Sequence, residues 1–262
     1  MSSDRQVGET APVGEMRMGC IHVPNRFADW CFLDTFDPHV GRASAVTLAS
    51  IRRLVAGEVR NVLLSGPPGC GKTHLAAAAA NEIADPLFQD VHRALGMLDA
   101  ASVPTERARA AEALKYARRL ADRTCPRWIA VPTFLPRLRR EIVPGGRPRR
   151  ATDEDDDDSA EAQWRDIMES AGLVVIDDLG AEKASEWTLS VLMEVVADRY
   201  DGNVGGLLVT SNLGAAELVG RGYGRIVSRL QEDGLLLEMA SARDYRARLR
   251  RPLAVPVAVE EA

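Results

Sequence analysis

The residues with the clearest chemical potential lie in one short segment, residues 66–73, which reads GPPGCGKT. It fits the phosphate-loop pattern G-x-x-x-x-G-K-[ST] in full. Glycines let the backbone curl so that successive amides point at phosphate oxygens, and the following helix adds its positive N-terminal end. Lys72 supplies a flexible cation, and Thr73 offers a hydroxyl ligand to Mg²⁺. The segment therefore predicts a nucleoside triphosphate site, formed by Gly66, Pro67, Pro68, Gly69, Cys70, Gly71, Lys72, Thr73 and the next residue, His74.

A second candidate feature is a pair of carboxylates at the end of an apolar run. LVVI at 173–176 leads directly into Asp177 and Asp178. If this strand lies beside the strand that enters the phosphate loop, Asp177 comes close to Thr73 and can hold Mg²⁺, directly or through water. The Asp178 side chain points in a different direction from that of Asp177 and is placed to orient or polarise an attacking water. The alternative is an acidic turn after a core strand, and the nearby phosphate loop favours the functional interpretation.

The elements that must position these residues alternate along the chain. Short apolar runs predict strands at 62–64, 127–131, 173–176, 207–210 and 235–239. Apolar spacing and capping residues predict helices at 44–55, 74–83, 105–122, 134–142 (capped by Thr133, with Pro136 in the first turn), 159–170 and 185–200. Near-continuous apolar strands that alternate with helices predict a parallel sheet covered by helices on both faces.

Composition restricts the class of protein. The formal net charge is −5, but the run DEDDDD at 153–158 supplies six acids, without which the charge would be +1. Arginines cluster at 137–150 and again at 243–251. No apolar run is long enough to span a membrane, and we expect no secretory signal. The four cysteines show no C-x-x-C spacing, so we expect neither a zinc knuckle nor disulfides, and a cytoplasmic location.

With these motifs identified, residues from about 26 to 250 resemble the DnaC/IstB-like group of AAA+ ATPases. The resemblance rests on GPPGCGKTHLAAA, LVVIDDLGAEKASEW, LLVTSNL and GRIVSRLQEDGLLLEMASARDYR. It implies an α/β fold with an AAA+ P-loop core, whose five-stranded parallel sheet is flanked by helices. It also implies ATP and Mg²⁺ as cofactors, ATP hydrolysis, and ATP-driven formation of a homo-oligomer on DNA.

The resemblance implies roles for further residues. Asn212 matches the sensor-1 residue, which contacts the γ-phosphate or the attacking water. Arg229 matches an arginine finger that acts in trans on the ATP of a neighbouring subunit, and Arg225, one helical turn earlier, stays open as the competing candidate. Arg246 matches the sensor-2 position and would contact the nucleotide. The catalytic residues expected on this basis are Lys72, Asp178, Asn212 and Arg229.

The predicted domain organisation departs from that of the helicase loaders. We expect a short irregular N-terminal segment (1–40), an ATPase core (41–250) and a C-terminal tail (251–262). Within the core we expect an insertion at 85–126 and a mobile loop at 143–158. Little sequence follows the fifth strand, so a full C-terminal lid domain is not expected. In the related ATPases, the region of Arg137, Arg139 and Arg140 faces the central channel, which makes it a candidate contact for single-stranded DNA. A solvated arginine face balanced by the acidic run is the alternative.

Several functions remain open at this stage. The first is a helicase loader, an ATP-hydrolysing replication accessory protein whose partner is a replicative helicase. The second is an IstB-like transposition helper that hands target DNA to a transposase. The third is a small-molecule kinase built on the same loop, which would need an acceptor pocket and mobile lid arginines. The fourth is an adaptor that binds ATP and barely hydrolyses it, because aspartate at position 178 is shorter than glutamate.

Overall fold

The structure is a computed structural model that describes residues 31–36, 45–142, 159–202 and 205–239. Several expectations lie outside these residues. They concern the N-terminal segment before residue 31, the cap Ser44, the loop 143–158 with its acidic run, Arg246 and the tail 251–262.

Eight helices and five strands follow one another in the described residues. The order is α1 (Ala45–Val55), β1 (Asn61–Ser65), α2 (Lys72–Ala100), α3 (Pro104–Thr124), β2 (Arg127–Ala130), α4 (Val131–Ile142), α5 (Ala160–Glu169), β3 (Val174–Asp177), α6 (Glu186–Asp201), β4 (Leu207–Ser211), α7 (Ala215–Leu218), α8 (Gly224–Glu232) and β5 (Gly234–Glu238). A short 3₁₀ turn at Leu33–Thr35 precedes α1, and a π-helical turn at Val219–Tyr223 joins α7 to α8.

The five strands form one sheet in the order β2-β3-β4-β1-β5. Every neighbouring pair is parallel, which confirms the predicted five-stranded parallel core flanked by helices. Because all strands run the same way, their carboxyl ends meet at one edge, where ligands bind in open α/β sheets. The described chain ends at Met239, one residue after β5, and includes no lid domain.

Side chains of each strand alternate between two apolar layers. In β1, Val62 and Leu64 pack on the side of α1 and α2, whereas Leu63 packs on the side of α4, α5, α6 and α8. This alternation follows from the two-residue period of a strand. Both faces are therefore covered, and the polar ends of the strands are left as the place for chemistry.

The helix after the phosphate loop is much longer than the sequence predicted. It was expected to end at Ile83, yet α2 continues through Pro86 to Ala100 and turns back as α3. Proline removes one backbone donor and normally ends or kinks a helix. Here the second half of α2 is held by a separate apolar cluster with α3, and this packing outweighs the local penalty. The cluster consists of Val91, Ala94, Leu114, Ala117 and Ala121.

The helix after β2 also begins earlier than predicted. Thr133 was expected to cap it, but α4 begins at Val131, and the Thr133 hydroxyl donates to the carbonyl of Ala130 at 3.1 Å. Pro136 consequently lies inside the helix instead of in its first turn. Phe134 and Leu138 are buried against the sheet, and this contact holds the helix together across the proline.

Two arginines are buried at the sheet edge opposite the phosphate loop. Arg199 of α6 donates to the carbonyls of Ile167 and Ser170 at the end of α5. Arg127 of β2 pairs with Asp166 and donates to the carbonyl of Cys125 at 2.8 Å. Helix C-termini expose unsatisfied carbonyls, which these guanidinium groups satisfy. No described helix combines the length and the apolar character needed to cross a membrane.

Candidate functional site

The phosphate loop connects the end of β1 to the start of α2. Gly66, Gly69 and Gly71 adopt φ values of 146°, 82° and 100°, in a region that favours glycine. A Cβ on Gly66 would lie 2.4 Å from the carbonyl oxygen of Met239, so this position also allows the chain after β5 to pass close by. The first amides of α2 have no partner within the helix, and they open towards the loop as an anion site.

The Lys72 ammonium lies at the centre of this loop, and the residue as a whole is 5% exposed. Its Nζ donates to the carbonyls of Gly66 and Pro67 at 2.8 and 2.9 Å. It also donates to Oδ1 of Asn212, at the end of β4, at 2.9 Å. A cation held by the carbonyls of its own loop is pre-positioned beneath the helix N-terminus, where phosphate oxygens would bind.

Asp177 lies close to Thr73, as predicted, although the strand arrangement on which that prediction depended is wrong. Strand β3 is not adjacent to β1, because β4 lies between them. Asp177 nevertheless accepts a hydrogen bond from the Thr73 hydroxyl at 3.1 Å. It also accepts one at 2.6 Å from Thr210, on the intervening strand. Asp177 is buried, so these donors help to offset the desolvation of its carboxylate.

Asp178 and Asn212 extend the same network. Asp178 adopts φ 60°, the only positive φ of a non-glycine residue among the described residues. Its amide donates to the Thr210 hydroxyl at 2.9 Å, which holds the backbone in this costly conformation. The Asn212 amide lies 3.5 Å from Oδ1 of Asp178, and the other end of Asn212 binds Lys72. Asn212 thus bridges the lysine and the second carboxylate.

Other residues of the loop take different positions. The Cys70 side chain is buried, with its Sγ 3.7 Å from Lys72 Nζ, and Pro68 is exposed at the tip. The His74 ring is buried against Phe36, edge-on at 5.2 Å between centroids, and burial lowers the pKa of His74 to about 4. The His74 side chain therefore belongs to the core, and a role at the phosphates would fall to its backbone amide.

The two arginine-finger candidates lie on α8. Arg229 is held by its own chain, with its guanidinium 4.4 Å from the ring centroid of Tyr200 and its Nη1 3.7 Å from Asp201. Arg225 is exposed, and the structure shows no hydrogen bond, ion pair or ring contact of its side chain with the other described residues. Arg225 is thus free to reach another subunit, whereas Arg229 would have to leave Tyr200 first.

Sequence reasoning missed Thr210, which connects both carboxylates. A signal was available, because Thr210 ends the apolar run LLVT and must therefore lie at the same sheet edge as the aspartates. It also missed a link between the loop after Asp178 and the π-helical turn that precedes α8. The Tyr223 hydroxyl donates to Glu182 at 2.5 Å, and Arg221 donates to the carbonyl of Gly180 at 3.1 Å. Burial, followed by this bond to Glu182, raises the pKa of Tyr223.

The donor set fits a magnesium-bound triphosphate. Two oxygens that occupy adjacent octahedral positions about 2.1 Å from Mg²⁺ lie about 3.0 Å apart. The Thr73 and Asp177 oxygens are 3.1 Å apart. Within the described residues, no group of three His, Cys, Asp or Glu side chains is placed to hold a metal by itself. A cation bound by one hydroxyl and one carboxylate would need phosphate oxygens to complete its coordination.

One family model matches the chain. It describes the ATPase family associated with various cellular activities (AAA) and covers residues 62–123, which is less than half of the chain. The matched segment contains most of β1, the phosphate loop, α2 and most of α3. No curated protein sequence matches the chain significantly.

Solved structures provide wider coverage. The DnaC helicase loader matches with a TM-score of 0.52 and 22% identity, over 80% of this chain and 97% of that one. DnaI matches with a TM-score of 0.52 and 20% identity, over 84% of this chain and 96% of that one. AMPPCP-bound DnaA from Aquifex aeolicus matches with a TM-score of 0.53 and 16% identity, over 84% of this chain and 53% of that one. With the sheet order and the family match, these similarities show that the chain has the fold of the AAA+ P-loop ATPases, as the sequence resemblance to the DnaC/IstB-like group implies.

Proposed function

We propose that this chain is an ATP-binding and ATP-hydrolysing accessory protein of DNA replication, a helicase loader that acts on single-stranded DNA in the cytoplasm. One observation supports its ATP chemistry above all others. Lys72, Thr73, Asp177, Asp178 and Asn212 come from three separate chain segments and form one hydrogen-bonded network, with Thr210 as its connection. If Asp177 and Asp178 only formed an acidic turn at the end of a core strand, these side chains would not need to come together.

Each member of the network has a role in hydrolysis. Lys72 and the amides of the phosphate loop bind and orient the β- and γ-phosphates. Asp178 accepts a hydrogen bond from the attacking water and directs its lone pair at the γ-phosphorus. Asn212 holds Lys72 and Asp178 at a fixed separation and offers its amide to the same water or to the γ-phosphate. These steps position the reactants, which provides much of the catalysis in phosphoryl transfer.

Thr73 and Asp177 would hold Mg²⁺, and their oxygen separation fits adjacent positions on that cation. When bound, the cation neutralises charge that develops on the phosphate oxygens. Thr210 keeps the Asp177 carboxylate in place, because its hydroxyl donates to the oxygen that also faces Thr73.

Hydrolysis between subunits would require a homo-oligomer. The resemblance to the DnaC/IstB-like group implies such an assembly, and the exposed position of Arg225 on α8 is compatible with an arginine acting in trans. Arg229 is our first candidate for that arginine, and Arg225 remains the competing one. Arg246 would contact the nucleotide from the segment after β5.

The central experiment titrates a fluorescent ATP analogue and measures phosphate release with Mg²⁺. Lys72→Ala should weaken binding at least tenfold, because it removes the cation at the phosphates. Asp178→Asn should bind ATP normally and release little phosphate. Lys115→Ala, an exposed lysine on α3, is the matched control and should behave as the wild type in this assay, which contains no nucleic acid. Equal affinities of wild type and Lys72→Ala would overturn the proposal.

A second experiment separates the two DNA-handling functions. The full chain is used to capture partners in ATP and in a slowly hydrolysed analogue. Enrichment of a replicative helicase supports the loader, and enrichment of a transposase supports the IstB-like transposition helper. The Lys72→Ala variant is the control, because capture that depends on nucleotide should be lost in it.

The two remaining classes have distinct kinetic signatures. A small-molecule kinase would transfer phosphate to an acceptor instead of water, so an acceptor-free assay would show almost no turnover. A nucleotide-gated adaptor would show binding with little phosphate release even as the protein oligomerises. The network of Asp178 and Asn212 around Lys72 supports hydrolysis over both.

A further inference from the structure

The helical hairpin formed by the second half of α2 and by α3 has a surface that the ATPase chemistry does not use. It projects from the sheet side on which α2 packs and has its own small core. Its outer helix, α3, carries six cationic and three acidic side chains, for a net charge of +3. The hairpin corresponds to the predicted insertion at 85–126, for which sequence reasoning provided no role.

The cations of α3 are available for an external partner. All six are exposed, and the structure shows no hydrogen bond or ion pair from their side chains to other described residues. They are Arg107, Arg109, Lys115, Arg118, Arg119 and Arg123. Glu106, Glu112 and Asp122 on the same helix are equally exposed and form no ion pair with them in the described structure. An unpaired basic helix face is complementary to a polyanion.

Three of these cations form a row. Lys115, Arg119 and Arg123 follow at intervals of four residues, which places their Cα atoms about 6 Å apart along the helix axis. A row with this spacing can contact successive phosphates of an extended strand.

An exposed aromatic side chain lies beside the row. Tyr116 is 69% exposed and lines an apolar groove of about 220 Å³ between α2 and α3, together with Met97 and Leu120. The floor of this groove is made partly of alanines, and an ion pair between Asp90 and Arg93 lies at its rim. A cationic track with an adjacent aromatic face is the arrangement by which proteins bind single strands without sequence preference.

The arginines of α4, the first candidates for DNA contact, are less available. Arg139 lies 5.7 Å from the ring centroid of Trp187, and Nε of Arg140 donates to the carbonyl of Pro136 at 3.2 Å. Arg137 is half-buried and also interacts within the described structure. These contacts already engage part of each α4 arginine side chain, whereas the structure shows no hydrogen bond, ion pair or ring contact of the α3 cations with other described residues.

We infer that the exposed face of α3, with Lys115, Arg119 and Arg123 as phosphate contacts and Tyr116 as a stacking platform, is a binding surface for single-stranded nucleic acid. This inference rests on the proposed action on single-stranded DNA and assigns it to the hairpin instead of to α4. The surface is chemically separate from the nucleotide site, so each can be tested without the other.

The test measures affinity of the full chain for a fluorescent oligo-dT strand over a range of salt concentrations. The triple variant Lys115→Gln/Arg119→Gln/Arg123→Gln should lose about 100-fold in affinity at 0.1 M salt. The slope of log affinity against log salt should fall in magnitude by about 2, because three phosphate contacts are lost. The matched control Arg137→Gln/Arg139→Gln/Arg140→Gln removes the same charge from α4 and should change the affinity less than threefold.

Tyr116→Ala tests the stacking contact separately. It should weaken binding about fivefold or more and leave the salt slope unchanged, because no charge is removed. The side chain is mostly exposed, so folding should be unaffected. An acidic polypeptide used as competitor should displace the strand poorly.

Three results would overturn the inference. The first is a wild-type chain that does not bind the strand. The second is a larger loss for the α4 triple variant than for the α3 triple variant. The third is full displacement by acidic polypeptide combined with no effect of Tyr116→Ala, which would assign the surface to an acidic protein. Titration of ATP keeps the two proposals distinct, because a wild-type chain that binds ATP normally but does not bind the strand rejects this surface and leaves the ATP site intact.

Discussion

Replacement of Thr210 by valine tests whether the buried network holds the two carboxylates in place. Thr210 is fully buried at the end of β4. Its hydroxyl donates to Asp177 at 2.6 Å and accepts from the Asp178 amide at 2.9 Å. Valine has almost the same shape, so the substitution removes two hydrogen bonds without opening a cavity.

The expected loss follows from these two bonds. Loss of a hydrogen bond to a charged acceptor costs about 1.5 kcal/mol, and the part-buried Asp178 amide left without its partner costs about as much again. Thr210→Val should therefore lower the free energy of unfolding by about 3 kcal/mol and the melting temperature by about 9 °C. Thr210→Ser is the control, because it keeps the hydroxyl and loses one methyl group, at a cost of about 1 kcal/mol.

Two assays measure the consequences. Urea unfolding followed by circular dichroism gives the free energy of unfolding of both variants. The Mg²⁺ concentration needed for half-maximal phosphate release should rise about tenfold in Thr210→Val, because the Asp177 carboxylate loses its supporting donor. The reasoning would be refuted by a valine variant that is as stable as the serine variant and has an unchanged Mg²⁺ requirement.

Three further predictions follow from the structure. Arg229→Ala should bind ATP normally and lose only turnover that depends on oligomerisation, measured as phosphate release against protein concentration. If Arg225→Ala loses that turnover instead, Arg225 is the finger. The pKa of His74 is about 4 in the folded chain and 6.5 in the unfolded chain. Stability is therefore fully present above pH 6.5, and the free energy of unfolding should fall by up to about 3 kcal/mol as the pH is lowered from 6.5 to 4. His74→Gln should remove that pH dependence in urea titrations at several pH values. Arg199→Gln should lower the free energy of unfolding by about 3 kcal/mol, because it leaves buried helix-end carbonyls unpaired, whereas exposed Arg165→Gln should cost less than about 1 kcal/mol.

The amino-acid sequence by itself determined the class of fold and the location of the candidate site. The phosphate loop is one contiguous segment of the chain. Local spacing alone therefore identifies its glycines, Lys72 and the start of the helix that follows. Asp177 could be added because parallel strands bring their carboxyl ends to one edge, whichever strands are neighbours. For this reason the position of Asp177 was predicted correctly even though the expected neighbour of β3 was wrong.

The tertiary structure alone decided the features that depend on distant contacts. Because β4 pairs with both β1 and β3, Thr210 lies between the two aspartates, Asp177 and Asp178, and connects them. Packing against α3 carried α2 past Pro86, where local propensity predicts an end. Burial separated the arginines into those that satisfy helix carbonyls, such as Arg199, and those left exposed on α3. Residue type and spacing in the sequence do not distinguish the two kinds of arginine. Only the surrounding chain determines which guanidinium group already has hydrogen-bond partners.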